Sequence, residues 1–531
     1  MRILTAAEMR ACDERTVREH GIPIHRLMEN AGAAVACFAR LQYPIARKIT
    51  VLCGKGNNGG DGLVAARLLA AEGCTVTTLL LAQPQQLQGA ARRALDQLAE
   101  NPILLLREAD LASEPVRAHL AQTELFIDAL FGTGFRPPLT GLALALRDTI
   151  AHHAAPVLAV DLPSGWDADT TDFTAEPVFP ADSVLTFTAP KFAHIFGALT
   201  GPNHRGPIAV ASIGSPEEAL QSEAKLHWTG SARQLAATPR SLNAHKGTFG
   251  HVLVIGGSRG KSGAPAMAAL AALRAGAGLV TAAVPESLVS TVAALAPEIM
   301  TLPMTETATG GIALSNLNRL RQDFFPQEKI TIALGPGLGR DAQTLEFVRQ
   351  LVQTVRQPIV LDADGLHAFA SAHTQHLLNG RDRTLVLTPH PGEMASLLNT
   401  TVATIEASRL RVAREFAQQY RLTLVLKGWR TLVAHPDGAL AANTSGNPGM
   451  AKGGSGDVLT GIIAALLAQH PTHAAQAVEA SVWLHGAAAD AALAQQNEHT
   501  LLATDTIAHL PQAWNASICH DGFVWLQNNT L

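Results

Sequence analysis

The chain is built from short apolar runs separated by longer stretches with helical spacing. The runs Lys48–Cys53, Thr75–Leu81, Leu125–Ala129, Val157–Val160 and Val184–Thr188 hold four to seven residues each and end in polar or glycine-rich text. Between them lie segments such as LVAARLLAAEG after Gly62, with the apolar periodicity of helices. Strands buried on both faces read as unbroken apolar runs, and strands alternating with helices predict a parallel sheet. From Ser215 to Lys246 the pattern lapses into polar text. A second series then runs through His251–Ile255, Leu279–Val284, Ile330–Leu334, Ile359–Leu361, Thr384–Thr388, Thr423–Leu426 and Leu432–His435. The pattern predicts two α/β domains, 1–220 and 221–531, with the break near 220–240.

Composition narrows the class. A length of 531 residues allows three or four ordinary domains or two large ones. With 47% hydrophobic and only 16% charged residues, wholesale disorder is excluded. A net charge of -4 and 5% aromatics argue against a nucleic-acid or anionic-membrane partner. The five cysteines (Cys12, Cys37, Cys53, Cys74, Cys519) are odd in number and none forms a CxxC pair, as in a reducing compartment. The N-terminus lacks a secretory apolar core, Val458–Ala468 is too short to span a bilayer, and Ala264–Val284 is broken by Arg274. A cytoplasmic enzyme with no membrane partner is the expectation.

Ligands of parallel sheets sit at the carboxyl ends of the strands. There lie GKGNNGGDG, DALFGTGF, DLPSGWDAD and TAPK. Gly54–Gly62 has five glycines in nine residues, free to present N–H groups to an anion at a helix start; it lacks the lysine of a P-loop. The plainer alternative is a tight strand-to-helix turn. GGSRGKS at Gly256–Ser262 mimics a Walker loop, but Ile255 stands where a glycine is required, so Lys261 reads as solvent-facing. Asn447–Leu459 (NPGMAKGGSGDVL) runs from glycines straight into an apolar helix. Its first-turn N–H groups can stabilise charge on a transferred phosphoryl group while Asp457 accepts a proton. An aspartate N-cap is the competing account. In TPHPGE, two prolines hold His390 after a strand. No His/Cys cluster suggests structural zinc.

Together these motifs are recognisable. GKGNNGGDG, VDLPSGWDAD and TFTAPK resemble the epimerase domain of the NAD(P)H-hydrate repair enzymes, while GTFGHVLVIGG, GAGLVT, GPGLG, LDADGL, TPHPGE and GNPGMAKGGSGDVLTGIIAALL resemble their dehydratase domain. The likeness spans nearly the whole chain in the bifunctional order. It implies a Rossmann-like three-layer domain followed by a ribokinase-like α/β domain. The first would interconvert the R and S hydrates of NADH and NADPH. The second would dehydrate the S form by phosphorylating its hydroxyl and eliminating phosphate, with ADP and Mg2+ in bacterial members and ATP in eukaryotic ones.

Carried over by position, the resemblance implies hydrate contacts at Asn57, Asn58, Gly59, Gly60, Asp61, Gly132, Thr133, Gly134, Phe135, Arg136, Pro137, Pro138 and Asp161. It implies a K+ site at Asn58, Asp128 and Ser164, and titratable groups Asp161 and Lys191 for epimerisation. In the second domain it implies hydrate contacts at Ala264, Gly337, His390 and Asp457, with Asp457 as general base. Nucleotide contacts fall at Lys427, Gly428, Trp429, Arg430, Thr431 and Gly456. A homo-oligomer with only small-molecule partners is expected. Two rivals remain: a ribokinase-like small-alcohol kinase fused to a nucleotide-binding domain, and an N-terminal half that only binds or regulates.

Overall fold

The computed structural model describes residues 1–171, 177–200, 206–326 and 329–527. The chain divides into two compact units, with the boundary between Ala224 and Lys225. Each is an α/β unit around one largely parallel sheet, as the apolar runs predict.

In the first unit the strands lie in the order Ile103–Leu104, Thr75–Leu80, Lys48–Cys53, Leu125–Ala129, Val157–Val160, Ser183–Phe187 and Ile208–Ala211, all parallel. The edge beside Ile208–Ala211 is closed by antiparallel Phe523–Gln527 and then Cys519–His520. Residues 517–527 thus belong to the first unit, a correction to the expected assignment of 221–531 to a single second domain. Aromatic packing supplies the reason. The Phe38 ring lies 5.3 Å from Phe523 and 5.6 Å from Trp525, so the terminal strand completes the core under the helix Ile24–Gln42.

The second unit has the order Met300–Met304, Leu279–Pro285, His251–Ile255, Ile330–Leu334, Ile359–Leu361, Leu385–Leu387 and Thr423–Leu426, again parallel. Leu432–Ala434 and Leu440–Ala442 then form an antiparallel hairpin, and Leu226–Trp228 ends the sheet. The helices Gly263–Arg274 and Ser455–Gln469 pack together closely because both are small-faced. A Cβ at Gly461 would lie 2.1 Å from the Ala268 carbonyl oxygen, so any side chain there would force them apart.

In both sheets the strand order reverses once among parallel neighbours. In the first unit the reversal falls between Lys48–Cys53 and Leu125–Ala129; in the second it falls between His251–Ile255 and Ile330–Leu334. Strand connections on either side of such a point leave the sheet in opposite directions, opening a crevice at the carboxyl ends. The glycine-rich loops line both crevices. No helix among the described residues is long and apolar enough to cross a membrane.

Candidate active sites

At the first switch point the loops after Cys53 and Ala129 approach until backbone meets backbone. A Cβ on Gly54 would lie 2.1 Å from the Leu130 carbonyl oxygen, and one on Gly59 would lie 1.9 Å from that of Gly54. These glycines permit close packing, as the tight-turn reading requires. Asn57 and Asn58 then open the helix Asn57–Ala71 facing a cavity of about 530 Å³. Asn57, Asn58, Asp61, Gly132, Thr133, Gly134, Phe135, Arg136, Asp161 and Lys191 all line it. Gly59, Gly60, Pro137 and Pro138 are not among its lining residues; Gly60 packs against Met28, whose side chain a Cβ would meet at 2.5 Å.

Asp161 is the best-anchored group in this cavity. Its backbone sits at φ +66°, a strained conformation for a non-glycine residue. Its Oδ1 accepts from Lys191 Nζ and Thr186 Oγ1, each at 2.8 Å, and its Oδ2 from the Thr133 N–H at 3.2 Å. Burial pushes the carboxyl up, but the Lys191 ammonium and these donors outweigh it and hold Asp161 below the usual carboxylate range. His194 fixes the backbone on both sides. Its Nδ1 accepts from the Lys191 N–H at 2.9 Å, so Nε2 carries the proton donated to the Asp161 carbonyl at 2.6 Å. Burial, then Lys191, lowers its pKa to about 4, leaving it neutral. Neither Thr186 nor His194 was visible as a functional residue in the sequence.

Asp128 and Ser164 come together behind the cavity. The Ser164 hydroxyl and N–H both donate to the Asp128 carboxylate at 2.7 Å. Burial, partly offset by Ser164, raises Asp128 to about 6. Asn58 Oδ1 faces Gly132, whereas Asn58 Nδ2 is buried without a hydrogen-bond partner.

In the second unit, Ala264 and Gly337 meet at the switch point. A Cβ on Gly337, at φ +66°, would stand 3.2 Å from that of Ala264. Lys261 is half-exposed and pairs with Asp364 at 2.8 Å rather than serving as a P-loop lysine. A separate cavity of about 730 Å³ is lined by His390, all of Lys427–Thr431 and Gly456. Ala264, Gly337 and Asp457 are not among its lining residues. Trp429 is half-exposed over it, with the Arg430 guanidinium 4.2 Å from its ring centre.

Asp457 is not an N-cap. Gly454 takes that position at φ 95°, and Asp457 falls in the first turn of Ser455–Gln469. Burial first, then the negative charge of Asp362, raises its pKa to about 7 despite Lys427. Such a group is a poised base at neutral pH. Beside it, buried Asp362 receives Lys427 Nζ at 2.9 Å and Thr460 Oγ1 at 2.8 Å. Gly456 leaves room for that ion pair; a Cβ there would sit 3.1 Å from Lys427 Nζ. His390 caps the helix Pro391–Leu398, its Nδ1 accepting from the Gly392 and Glu393 N–H groups, while its outer edge faces the cavity. Asp362, Glu393 and His485 complete this centre and were missed as individual residues. LDADGL and TPHPGE contained two of them, but nothing in the spacing marked His485.

Comparisons with known proteins agree with this division. Residues 252–512 match the family model for NAD(P)H-hydrate dehydratase, and residues 24–193 match that for the YjeF-related protein N-terminus. A bifunctional NAD(P)H-hydrate repair enzyme of Moorella thermoacetica is 41% identical over 519 residues, covering 96% of each chain. One from Coxiella burnetii is 37% identical, covering 94% of this chain and 96% of the other. Among solved structures, the ADP/ATP-dependent NAD(P)H-hydrate dehydratase of Bacillus subtilis co-crystallised with ATP/Mg2+ is 31% identical at TM-score 0.45, covering 54% of this chain and 96% of that one. Two switch-point centres on one chain and full-length likeness to these relatives have one meaning: the chain belongs to the family of bifunctional NAD(P)H-hydrate repair enzymes.

Proposed function

We propose that this chain restores hydrated NADH and NADPH, epimerising the R and S hydrates in the first unit and dehydrating the S form in the second with ADP as donor, giving AMP and phosphate. The observation that carries the second activity is Asp457, a carboxyl poised near pH 7 at the first turn of a helix and facing Lys427. Asp457 takes the hydroxyl proton as the oxygen attacks the terminal phosphorus of ADP and the bond to the leaving AMP breaks. Lys427 and the first-turn N–H groups balance the charge on the phosphoryl oxygens. The new ester sits beside the ring nitrogen. Phosphate leaves as the nitrogen lone pair forms a C=N bond, and proton loss from the neighbouring carbon restores the reduced ring. Trp429, half-exposed at the cavity, offers a face for adenine.

The oxygen donors Asn58, Asp128 and Ser164 suit a hard monovalent cation, and the fit is supported by the Asp128 carboxylate and Ser164 hydroxyl meeting at 2.7 Å. K+ held there would supply fixed positive charge beside the hydrate. Among the described residues no group of three His, Cys, Asp or Glu side chains could hold a metal ion. Mg2+ would therefore be carried chiefly by the nucleotide phosphates, as is usual for this ion. The free cysteines support a reducing, cytoplasmic setting. Assembly as a homo-oligomer is read by sedimentation.

The test is turnover of a mixed-epimer hydrate with ADP or ATP, followed by absorbance of the reduced nicotinamide. The wild-type chain should consume both epimers, Asp161→Ala only the S form, and Asp457→Ala neither. A wild-type chain that regenerates no reduced cofactor with either nucleotide defeats the proposal.

A further inference from the structure

We infer that Asp13 is the general acid of the epimerase centre, giving its proton to the departing hydroxyl at the hydrated carbon while Asp161 receives one from the water that adds to the opposite face. This rests on the epimerase reading above and assigns its missing acid. Asp13 lies on the helix Ala6–His20, outside every motif recognised in the sequence. With Met9 and Arg10 it lines the same cavity as Asp161 and Lys191, Met9 and Asp13 being one turn apart on a single face.

The helix is held in place at both ends. Thr5 and Glu8 form a capping box, Ala6 N–H donates to Asp169 Oδ1 at 2.6 Å, and Arg15 donates twice to the Ala219 carbonyl at 2.8 and 2.6 Å. Asp13 Oδ1 is nevertheless buried with no hydrogen-bond partner. A carboxylate oxygen in that state is costly unless the group is protonated or meets a ligand.

Charge accounting gives the same assignment. The groups facing Asp13 are Lys191, Asp161, Asp61 and its helix neighbour Glu14, with Arg10 on the cavity wall. Lys191 is committed to Asp161 at 2.8 Å. Burial raises Asp13 to about 6, whereas Asp161 stays ionised. The proton affinities of two carboxyls in one cavity are thus pushed apart, the arrangement of an acid and base pair. Burial, then the charges of Asp161 and Asp13, pushes Asp61 up as well, but it belongs to the wall formed by the glycine loop.

The chemistry balances. The C–O bond breaks with its electron pair going to oxygen, the Asp13 proton completes a water molecule, and the ring nitrogen lone pair closes a C=N bond. Water then adds to the other face of that carbon and yields its proton to Asp161. No oxidant or reductant is needed. Proton exchange with cavity water resets the pair, and the reverse epimerisation exchanges the two roles.

The experiment uses the full-length chain with ADP and a hydrate mixture enriched in R. Asp13→Asn should slow R consumption about 100-fold in kcat with KM within about threefold, the size of a lost general acid. S consumption in the same sample should be unchanged, which reports an intact second unit. Asp13→Glu should recover part of the rate, and the alkaline fall in wild-type epimerase kcat/KM should vanish in Asp13→Asn. R consumption by Asp13→Asn within about threefold of wild type, or an alkaline limb that disappears only in Asp61→Asn, overturns the assignment. A wild-type chain that consumes S but never R would instead defeat the epimerase reading itself.

Discussion

Replacing Asp457, the base proposed for dehydration, should make the protein more stable as it makes it inactive. Asp457 has its pKa raised from 3.8 to about 7 by burial beside Asp362. The native state therefore binds more protons than the unfolded state between about pH 4 and 7, so wild-type stability falls as pH rises through that window and flattens above it. Three pKa units at about 1.36 kcal/mol each give an upper bound of about 4 kcal/mol at pH 8. Asp457 keeps partial exposure, so water screens part of this, and about 1–3 kcal/mol is expected.

Asp457→Asn keeps the shape and removes the charge. The assay is thermal unfolding of the nucleotide-free chain from pH 4.5 to 8, reading the transition of the second unit, which ADP identifies by raising it. At pH 8 the variant should melt about 3–8 °C above wild type, and the gap should shrink steadily toward pH 4.5. The same variant should lose at least about 100-fold in dehydratase kcat. In wild type, kcat/KM for the S hydrate should climb with pH, reaching half its maximum near 7. A variant no more stable than wild type at pH 8, or one with an equal gain at both pH extremes, would refute the claim that this centre stores electrostatic strain.

Lys427→Met should destabilise the second unit by about 3–5 kcal/mol in urea unfolding at pH 7, because it leaves the buried Asp362 charge unpaired. Adding Asp362→Asn should return much of that loss without restoring activity. Gly54→Ala drives a methyl into the Leu130 carbonyl, so R-hydrate consumption should collapse while S-hydrate consumption persists. Trp429→Ala, at a half-exposed position, should raise KM for the nucleotide several-fold and leave the unfolding transition within about 0.5 kcal/mol of wild type.

Much of this architecture was legible because buried parallel strands have an unambiguous text. Lys48–Cys53, Leu125–Ala129, Val157–Val160, His251–Ile255 and Ile330–Leu334 have the predicted bounds. Most strands that escaped are short or peripheral: Ile103–Leu104 and Cys519–His520 hold two residues each, Leu226–Trp228 and Leu440–Ala442 three, and Met300–Met304 lies at a sheet edge; Ile208–Ala211, four buried residues inside the first sheet, escaped as well. Phe523–Gln527 escaped for a different reason. Its place is set by Phe38, far away in sequence, and local pattern cannot report a partner.

The candidate sites divide along the same line. A loop that brings backbone to backbone must be written in glycine, so GKGNNGGDG and GGSGD announce where the sheets open. The groups that set the proton inventory do not announce themselves, since their character comes from what the fold places beside them. Asp161 is an anion because Lys191 reaches it across 30 positions, whereas Asp13 has no such partner and stays a candidate acid. Asp457 is raised to about 7 by burial first and then by Asp362, which has already claimed Lys427. In both units one lysine is shared among more carboxyls than it can neutralise. The carboxyl it leaves out is the one whose proton is available near neutral pH. That rule can be tested by moving the charge: Asp362→Asn should free Lys427 for Asp457, pull the Asp457 pKa down, and shift the alkaline rise in dehydratase kcat/KM to lower pH. An unshifted profile would mean that burial alone, and not competition for the lysine, sets the base.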